Sequence, residues 1–122
     1  MIGYATIGTN DFDKAAKFYD AIAEEMGAKR AMDFGTFVVW SNGTPGGMLA
    51  LCQPYNKEPA TVGNGNMVAL AAKDKAQVDR LHALALSLGG TCEGPPGARM
   101  DNFYAAYFRD LDGNKLAAFN MG

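Results

Sequence analysis

Histidine and cysteine, which often serve as metal ligands or in nucleophilic catalysis, are rare in this chain of 122 residues. The chain has one histidine, His82, and two cysteines, Cys52 and Cys92, which lack the short paired spacing of a zinc or redox motif. A cysteine acts as a nucleophile when a base activates its thiol, and the sequence offers Cys52 no neighbouring imidazole. We therefore predict two free, buried thiols, and we interpret His82 as a residue of a helix surface or of a helix–sheet boundary.

Aromatic and soft side chains form a second group of candidates. Stacking on an aromatic ring would hold a flat or apolar molecule, and a tyrosine hydroxyl would orient it. Arg99 lies in a predicted loop rich in proline and glycine, where it would either clamp a carboxylate or phosphate with two hydrogen bonds or remain a solvated charge. The candidate ligand-binding residues are Tyr4, Trp40, Cys52, Met67, Arg99, Phe103, Tyr107 and Phe119.

The elements that must position these residues occur twice in the chain. At an offset of 63 residues, Tyr4–Ala28 aligns with Met67–Thr91 without a gap. Each copy has a short apolar strand, a helix that begins near an aspartate, Asp11 or Asp74, and a glycine at the end of that helix. Asn10 is the predicted N-cap of the first helix.

Beyond the helices the repeat continues at an offset of 67 residues. Phe37–Trp40 aligns with Tyr104–Tyr107, and Met48–Leu51 aligns with Lys115–Ala118. With a further short strand after each helix, both halves are predicted to contain a strand, a helix and three more strands.

The predicted fold class is therefore α+β. We expect a single domain over residues 1–122, built from βαβββ modules at 1–53 and 66–122 that a linker at 53–66 joins. Two such modules would form a curved eight-stranded sheet, with the helices outside and a central cup inside. Such a cup is where a small molecule would bind.

These features resemble the vicinal oxygen chelate superfamily, which includes glyoxalase I, extradiol dioxygenases and bleomycin-resistance proteins. The resemblance rests on the two modules, on Thr9-Asn10-Asp11 followed by Phe18-Tyr19 in the first helix, and on the closing hairpin Tyr107–Leu116. That hairpin carries Asp-Leu-Asp-Gly-Asn, with Leu111 at the usual proline position. The resemblance covers essentially the whole chain, and it implies the glyoxalase/bleomycin-resistance/dioxygenase fold.

The resemblance also implies where a metal would bind. In metal-using members, His, Glu or Gln ligands come from the first and last strand of each module, and the metal acts as a Lewis acid. The matching positions here are Tyr4, Ala50, Met67 and Ala117. None of them is a usual ligand for Ni, Zn, Mn or Fe. We predict no bound metal and no cofactor.

Alternation along the strands predicts which side chains face the cup. The predicted cup is lined by Tyr4, Val38, Trp40, Cys52, Met67, Phe103, Tyr107 and Phe119, and it is opened by Ala50, Ala69, Ala105 and Ala117. The alternative is that these side chains pack against one another and fill the cup.

Composition and charge exclude several classes of protein. A hydrophobic share of 48% with 20% charged residues is typical of a globular rather than a disordered chain. Eleven basic against thirteen acidic residues give a net charge of −2, which provides no basic surface for nucleic acid. No apolar run reaches the roughly 18 residues of a membrane helix, and no signal peptide is evident. We expect a cytoplasmic protein without nucleic-acid or membrane partners.

The primary hypothesis is a protein of the glyoxalase/bleomycin-resistance type that binds a small planar or apolar molecule in a metal-free aromatic cup. The alternative is a glyoxalase-like lyase or isomerase, related to lactoylglutathione lyase, that uses tyrosine acid–base chemistry or an unrecognised metal. A third hypothesis is an accessory or structural protein whose cup is packed shut. Because each module leaves an edge strand and an apolar face, we also expect a homodimer.

Overall fold

The computed structural model describes residues 1–122, which divide into two compact units, residues 1–62 and 63–122. The first unit holds β1 (Tyr4–Gly8), α1 (Phe12–Glu25), β2 (Lys29–Asp33), β3 (Phe37–Ser41) and β4 (Met48–Cys52). The second unit holds β5 (Val68–Ala71), α2 (Lys75–Ser87), β6 (Thr91–Met100), β7 (Phe103–Arg109) and β8 (Lys115–Asn120). Each unit contains one βαβββ module, and the predicted α+β fold class is confirmed.

Each unit has its own four-stranded mixed sheet. The strand order is β1-β4-β3-β2 in the first unit and β5-β8-β7-β6 in the second. The first and last strands of each module are parallel neighbours, whereas the remaining pairs are antiparallel. The two units therefore share one topology, as the internal repeat predicts.

A helix covers one face of each sheet. In the first unit, the buried face of α1 includes Phe18, Tyr19 and Ile22, and α1 packs on β2, β3 and β4. In the second, Val78 and Leu81 are on the buried face of α2, which packs on β6, β7 and β8. Burial of each large apolar side chain stabilises its unit by roughly 1.5–3 kcal/mol. We call the opposite side of each sheet its open face.

The start of α1 differs from the prediction. The N-cap is Asp11, whose carboxylate accepts a hydrogen bond from the backbone N–H of Lys14 at 3.3 Å. Asn10 instead forms two hydrogen bonds with the backbone of Ala60, at 3.1 and 2.7 Å. Asn10 therefore ties the end of the first unit to the start of its helix.

The Asp-Leu-Asp-Gly-Asn segment forms the turn between β7 and β8. Asp110 is only 5% exposed, and its Oδ1 accepts hydrogen bonds from the backbone N–H groups of Asp112 and Asn114 at 2.9 and 2.8 Å. Gly113 has a positive φ of 91°, which a side chain would strain. The segment is thus a structural turn, as its residue types predict.

Strand β6 is longer than the sequence indicates. It continues through Pro95 and Pro96 as far as Met100, so Arg99 lies in a strand and not in the predicted loop. The prolines are tolerated because β6 is at the edge of its sheet and its pairing with β7 shifts register at several points. Neither helix is long and apolar enough to span a membrane.

Candidate functional site

The open face of the second unit carries a group of aromatic rings. Phe103 of β7 and Phe119 of β8 are stacked, with ring centroids 5.8 Å apart and ring planes at 10°. Tyr107 lies on the same face of β7 as Phe103, four residues further along. Alternation predicts this face for all three residues, and the strand pairing places them there.

Two cations contact the ring of Tyr107. The guanidinium carbon of Arg99 lies 5.4 Å from the ring centroid, and the ammonium nitrogen of Lys115 lies 5.5 Å from it. Arg99 also donates a hydrogen bond to the carbonyl oxygen of Pro95. By contrast, Arg109 donates to the carboxylate of Glu93, and this hydrogen bond lowers the pKa of Glu93. The open face therefore combines a phenol ring with two nearby positive charges.

Small side chains lie between these rings. Ala105 pairs with Phe119 across the β7–β8 ladder and is 0% exposed, and Ala117 pairs with Tyr107 and is 2% exposed. Both alanines are covered by neighbouring side chains, so the rings around them, and not their methyl groups, form the accessible surface of this face. Ala69 of β5 pairs with Ala117 and is exposed.

The open face of the first unit has its own aromatic contacts. Tyr4 is 58% exposed and meets Phe37 edge-on, with centroids 6.3 Å apart, and Phe34 lies 6.5 Å from Phe37. Cys52 pairs with Phe37 and is half-buried, and burial raises the pKa of its thiol. Met67 precedes β5 in the second unit and is 45% exposed.

The predicted orientation of Trp40 is wrong. Trp40 lies on the helix side of the first sheet, where its ring is 5.9 Å from that of Tyr19 in α1. Its indole N–H donates a hydrogen bond to the carboxylate of Asp20 at 2.9 Å, and it is only 4% exposed. The predicted orientation of Val38 fails with it, because Val38 and Trp40 are two residues apart on one strand.

A one-residue error in the internal alignment explains this correction. Val39 pairs with Ala50, just as Tyr107 pairs with Ala117, so the two equivalent residues differ by 68 positions and not by 67. A slip of one residue moves every side chain of a strand to the other face. Phe37 and Val39 therefore occupy the open face in place of Val38 and Trp40.

The residues present do not fit a divalent metal. The positions that would supply ligands hold a phenol, two methyl groups and a thioether, at Tyr4, Ala50, Ala117 and Met67. No group of three or more His, Cys, Asp or Glu side chains is placed to hold a metal ion. Hard carboxylate and imidazole donors are thus missing where such a metal would need them.

Sequence reasoning missed one contact on the helix side of the second unit. The imidazole Nε2 of His82 in α2 lies 3.3 Å from the sulfur of Cys92 in β6. His82 is buried at the helix–sheet boundary, as predicted, whereas Cys92 is exposed and the predicted burial of its thiol is wrong. Alternation offered a signal, because Cys92 pairs with Phe108, a buried residue of the helix side.

Comparisons with known proteins agree with this architecture. A sequence model of the Glyoxalase/Bleomycin resistance protein/Dioxygenase superfamily matches residues 1–118. A glyoxalase/bleomycin resistance protein from Albidiferax ferrireducens T118 is 38% identical with a TM-score of 0.89, over 98% of this chain and 97% of that chain. The comparison with curated proteins found no match.

More distant solved structures share the fold. A lactoylglutathione lyase from Agrobacterium tumefaciens is 24% identical with a TM-score of 0.69, over 98% of this chain and 92% of that chain. A glyoxalase/bleomycin resistance protein/dioxygenase family enzyme from Burkholderia phytofirmans PsJN is 18% identical with a TM-score of 0.76, over 98% of each chain.

Proposed function

The chain belongs to the glyoxalase/bleomycin resistance protein/dioxygenase superfamily, and from this premise we propose that it binds a small planar molecule that carries an acidic group. The observation that carries the proposal is the contact of two cations, Arg99 and Lys115, with the ring of Tyr107. A planar ligand would stack on the open face of the second unit. Its carboxylate or phosphate would accept hydrogen bonds from Arg99.

The residues of this face would make different kinds of contact with the ligand. Phe103 and Phe119 offer aromatic surface, and each ring contact contributes on the order of 1 kcal/mol beyond burial. Ala105 and Ala117 are buried beneath their neighbours and offer the ligand no surface of their own. The hydroxyl of Tyr107 would orient a polar group of the ligand. Tyr4 and Cys52 belong to the open face of the first unit, where they remain predicted contact residues, as does Met67 before β5 in the second unit.

The second candidate function is a lyase or isomerase. It is favoured by the tyrosine hydroxyls on the open faces, at Tyr4 and Tyr107, which are groups that can move a proton. The neighbour from Agrobacterium tumefaciens is a lactoylglutathione lyase. An assay for lactoylglutathione formation or cleavage by the purified protein tests this candidate, and turnover would displace a function of binding alone.

We also propose a cytoplasmic homodimer. Two free cysteines, Cys52 and Cys92, are typical of a reducing compartment. Phe34, just after β2, and Met100, at the end of β6, are exposed apolar side chains that favour contact with a second copy of the chain.

Calorimetric titration with 2-naphthoate and with its neutral analogue 2-naphthamide tests the binding proposal. We expect the acid to bind at least about fivefold more tightly than the amide, because the guanidinium meets a charge only in the acid. Arg99→Gln and Lys115→Gln should each weaken the affinity for naphthoate about three- to tenfold. Ala69→Phe should block binding, because the added ring would occupy part of the ligand face next to Ala117.

Lys75→Gln is the matched control. The ammonium of Lys75 also lies over a tyrosine ring of the second unit, 5.8 Å from the centroid of Tyr104, but Tyr104 faces the helix. This variant should leave the naphthoate affinity unchanged. Equal affinities for the acid and the amide, or equal losses in Lys75→Gln and Lys115→Gln, would contradict the proposal.

A further inference from the structure

An exposed thiol and a buried base meet on the helix side of the second unit. Cys92 lies on β6, the edge strand of its sheet, and it is exposed. His82 is 7% exposed and places its Nε2 atom 3.3 Å from the sulfur. A reagent in solution can therefore reach the sulfur while the imidazole stays shielded.

The other cysteine lacks both features. Cys52 is half-buried, and burial raises the pKa of its thiol, which reduces its thiolate fraction at neutral pH. His82 is the only histidine in the chain, and its Nε2 atom is engaged with Cys92. The two thiols should therefore react at different rates.

The surroundings of His82 favour its neutral form. Burial lowers its pKa below the ordinary 6.5, and the negative charge of Asp79 raises it to a smaller extent. On the same side, Tyr104 donates a hydrogen bond to Asp79 at 2.6 Å, and Lys75 lies above the Tyr104 ring. The neutral imidazole can thus accept the hydrogen bond of the thiol.

We propose that Cys92 is a modification site for soft carbon electrophiles of the α,β-unsaturated carbonyl class, with His82 as its base. The S–H proton moves to Nε2 of His82, and the sulfur forms a C–S bond with the β-carbon of the alkene. The π electron pair moves to the carbonyl oxygen as an enolate. Return of the proton from the imidazolium to the α-carbon completes a thioether and restores neutral His82.

In the first unit, the position equivalent to Cys92 is occupied by Arg30. Arg30 pairs with Trp40 there, just as Cys92 pairs with Phe108 in the second unit. Arg30 is engaged by the carboxylates of Asp20 and Asp33. The second unit presents a free thiol at this position, on the side of the sheet opposite the proposed ligand face.

Alkylation of the full chain by N-ethylmaleimide at pH 7, followed by peptide mass spectrometry, tests the proposal. We expect Cys92 to react about tenfold faster than Cys52. His82→Asn should slow the alkylation of Cys92 at pH 7 about five- to tenfold. At pH 9.5 hydroxide forms the thiolate directly, so the rates of the variant and the natural chain should agree within about twofold.

Cys52→Ser is the control that should retain the fast reaction, and Cys92→Ser should abolish it. The ratio of the two cysteine rates in the natural chain needs no substitution, so the proposal stays testable even where His82→Asn fails to fold. Equal rates for both cysteines would overturn the proposal. An unchanged pH 7 rate in folded His82→Asn would also overturn it, because exposure alone would then account for the reactivity.

Discussion

Asp20 joins three elements of the first unit through one carboxylate. From α1 it accepts hydrogen bonds from Nε and Nη2 of Arg30 in β2, at 2.9 and 2.8 Å. It also accepts a hydrogen bond from the indole of Trp40 in β3, at 2.9 Å. Its side chain is 42% exposed, so solvent weakens the ion pair, whereas the indole that it accepts from is buried.

These contacts make the free energy of unfolding of the first unit depend on pH in the acidic range. The hydrogen bond from Arg30 lowers the pKa of Asp20 below the ordinary 3.8, burial opposes this shift, and the bond from Trp40 lowers it further. A lowered folded-state pKa means that the stabilisation is present above pH 3.8 and is lost as the pH falls through the folded value.

Asp20→Asn should therefore lower the free energy of unfolding by about 1 kcal/mol at pH 7. The difference from the natural chain should shrink as the pH falls below 3.8, because Asp20 itself then becomes protonated. Asp20→Ala should cost about 2–3 kcal/mol, because the buried indole N–H then also loses its acceptor. Urea unfolding at several pH values measures both effects.

Asp13→Asn is the control for this prediction, since Asp13 lies on the same helix about two turns earlier. Asp13→Asn should leave the decrease in the free energy of unfolding at acidic pH as it is in the natural chain. A constant difference between Asp20→Asn and the natural chain from pH 7 to pH 2 would contradict the ion-pair explanation. The contacts themselves join residues 10 and 20 positions apart, so no local sequence pattern could predict them.

At the scale of elements, the sequence predicts the faces of five strands and fails on two. For β1, β4, β5, β7 and β8, the faces that alternation predicts agree with the strand pairing. In β3 the run Phe37–Trp40 is apolar at every position, so nothing in the strand itself fixes its register. In β6 the prolines were interpreted as a loop, although an edge strand tolerates them.

The register of β3 leads to a prediction for Trp40→Phe. The substitution keeps an aromatic ring against Tyr19 but removes the N–H that donates to Asp20. The free energy of unfolding should fall by about 1–2 kcal/mol, while calorimetry should show the naphthoate affinity of the natural chain. We expect a loss of stability without a loss of naphthoate affinity because Trp40 lies on the helix side of its sheet.

Tyr107→Leu is the reciprocal control. Tyr107 lies on the open face and contacts two cations, so the loss of its ring should weaken naphthoate binding and change the free energy of unfolding less. A Trp40→Phe variant that lost naphthoate affinity but kept its stability would place the indole on the ligand face after all.

At the scale of the whole molecule, one module is used twice with different chemistry. The repeat in the sequence predicted two βαβββ units, because strand and helix periodicities survive even where identities do not. It could not predict the side-chain clusters, since equivalent positions have diverged. Tyr19 corresponds to His82, and Trp40 corresponds to Phe108 by strand pairing. The Arg30–Asp20 ion pair beside Trp40 in the first unit and the Cys92–His82 contact in the second therefore occupy equivalent positions in the two modules.

The modules also share an exposed apolar residue near the same turn. Phe34 follows β2 and is 70% exposed, and Met100 ends β6 and is 68% exposed. Contiguous apolar patches at the surface are typical of contact sites between proteins, and we propose that Phe34 and Met100 contribute to such a patch. Since oligomers of one chain repeat the same contacts symmetrically, a second copy is the partner that we expect to cover them.

Light scattering at micromolar concentration should therefore give about 26 kDa, twice the 13.0 kDa of one chain. Phe34→Lys and Met100→Lys place charges on these surfaces, and together they should shift the mass toward 13.0 kDa, because an unpaired buried charge is costly. Tyr55→Lys is the control, since Tyr55 is fully exposed but lies outside both turns. A natural chain that scatters as a monomer, or a dimer that tolerates both lysines, would show that these side chains do not form the interface.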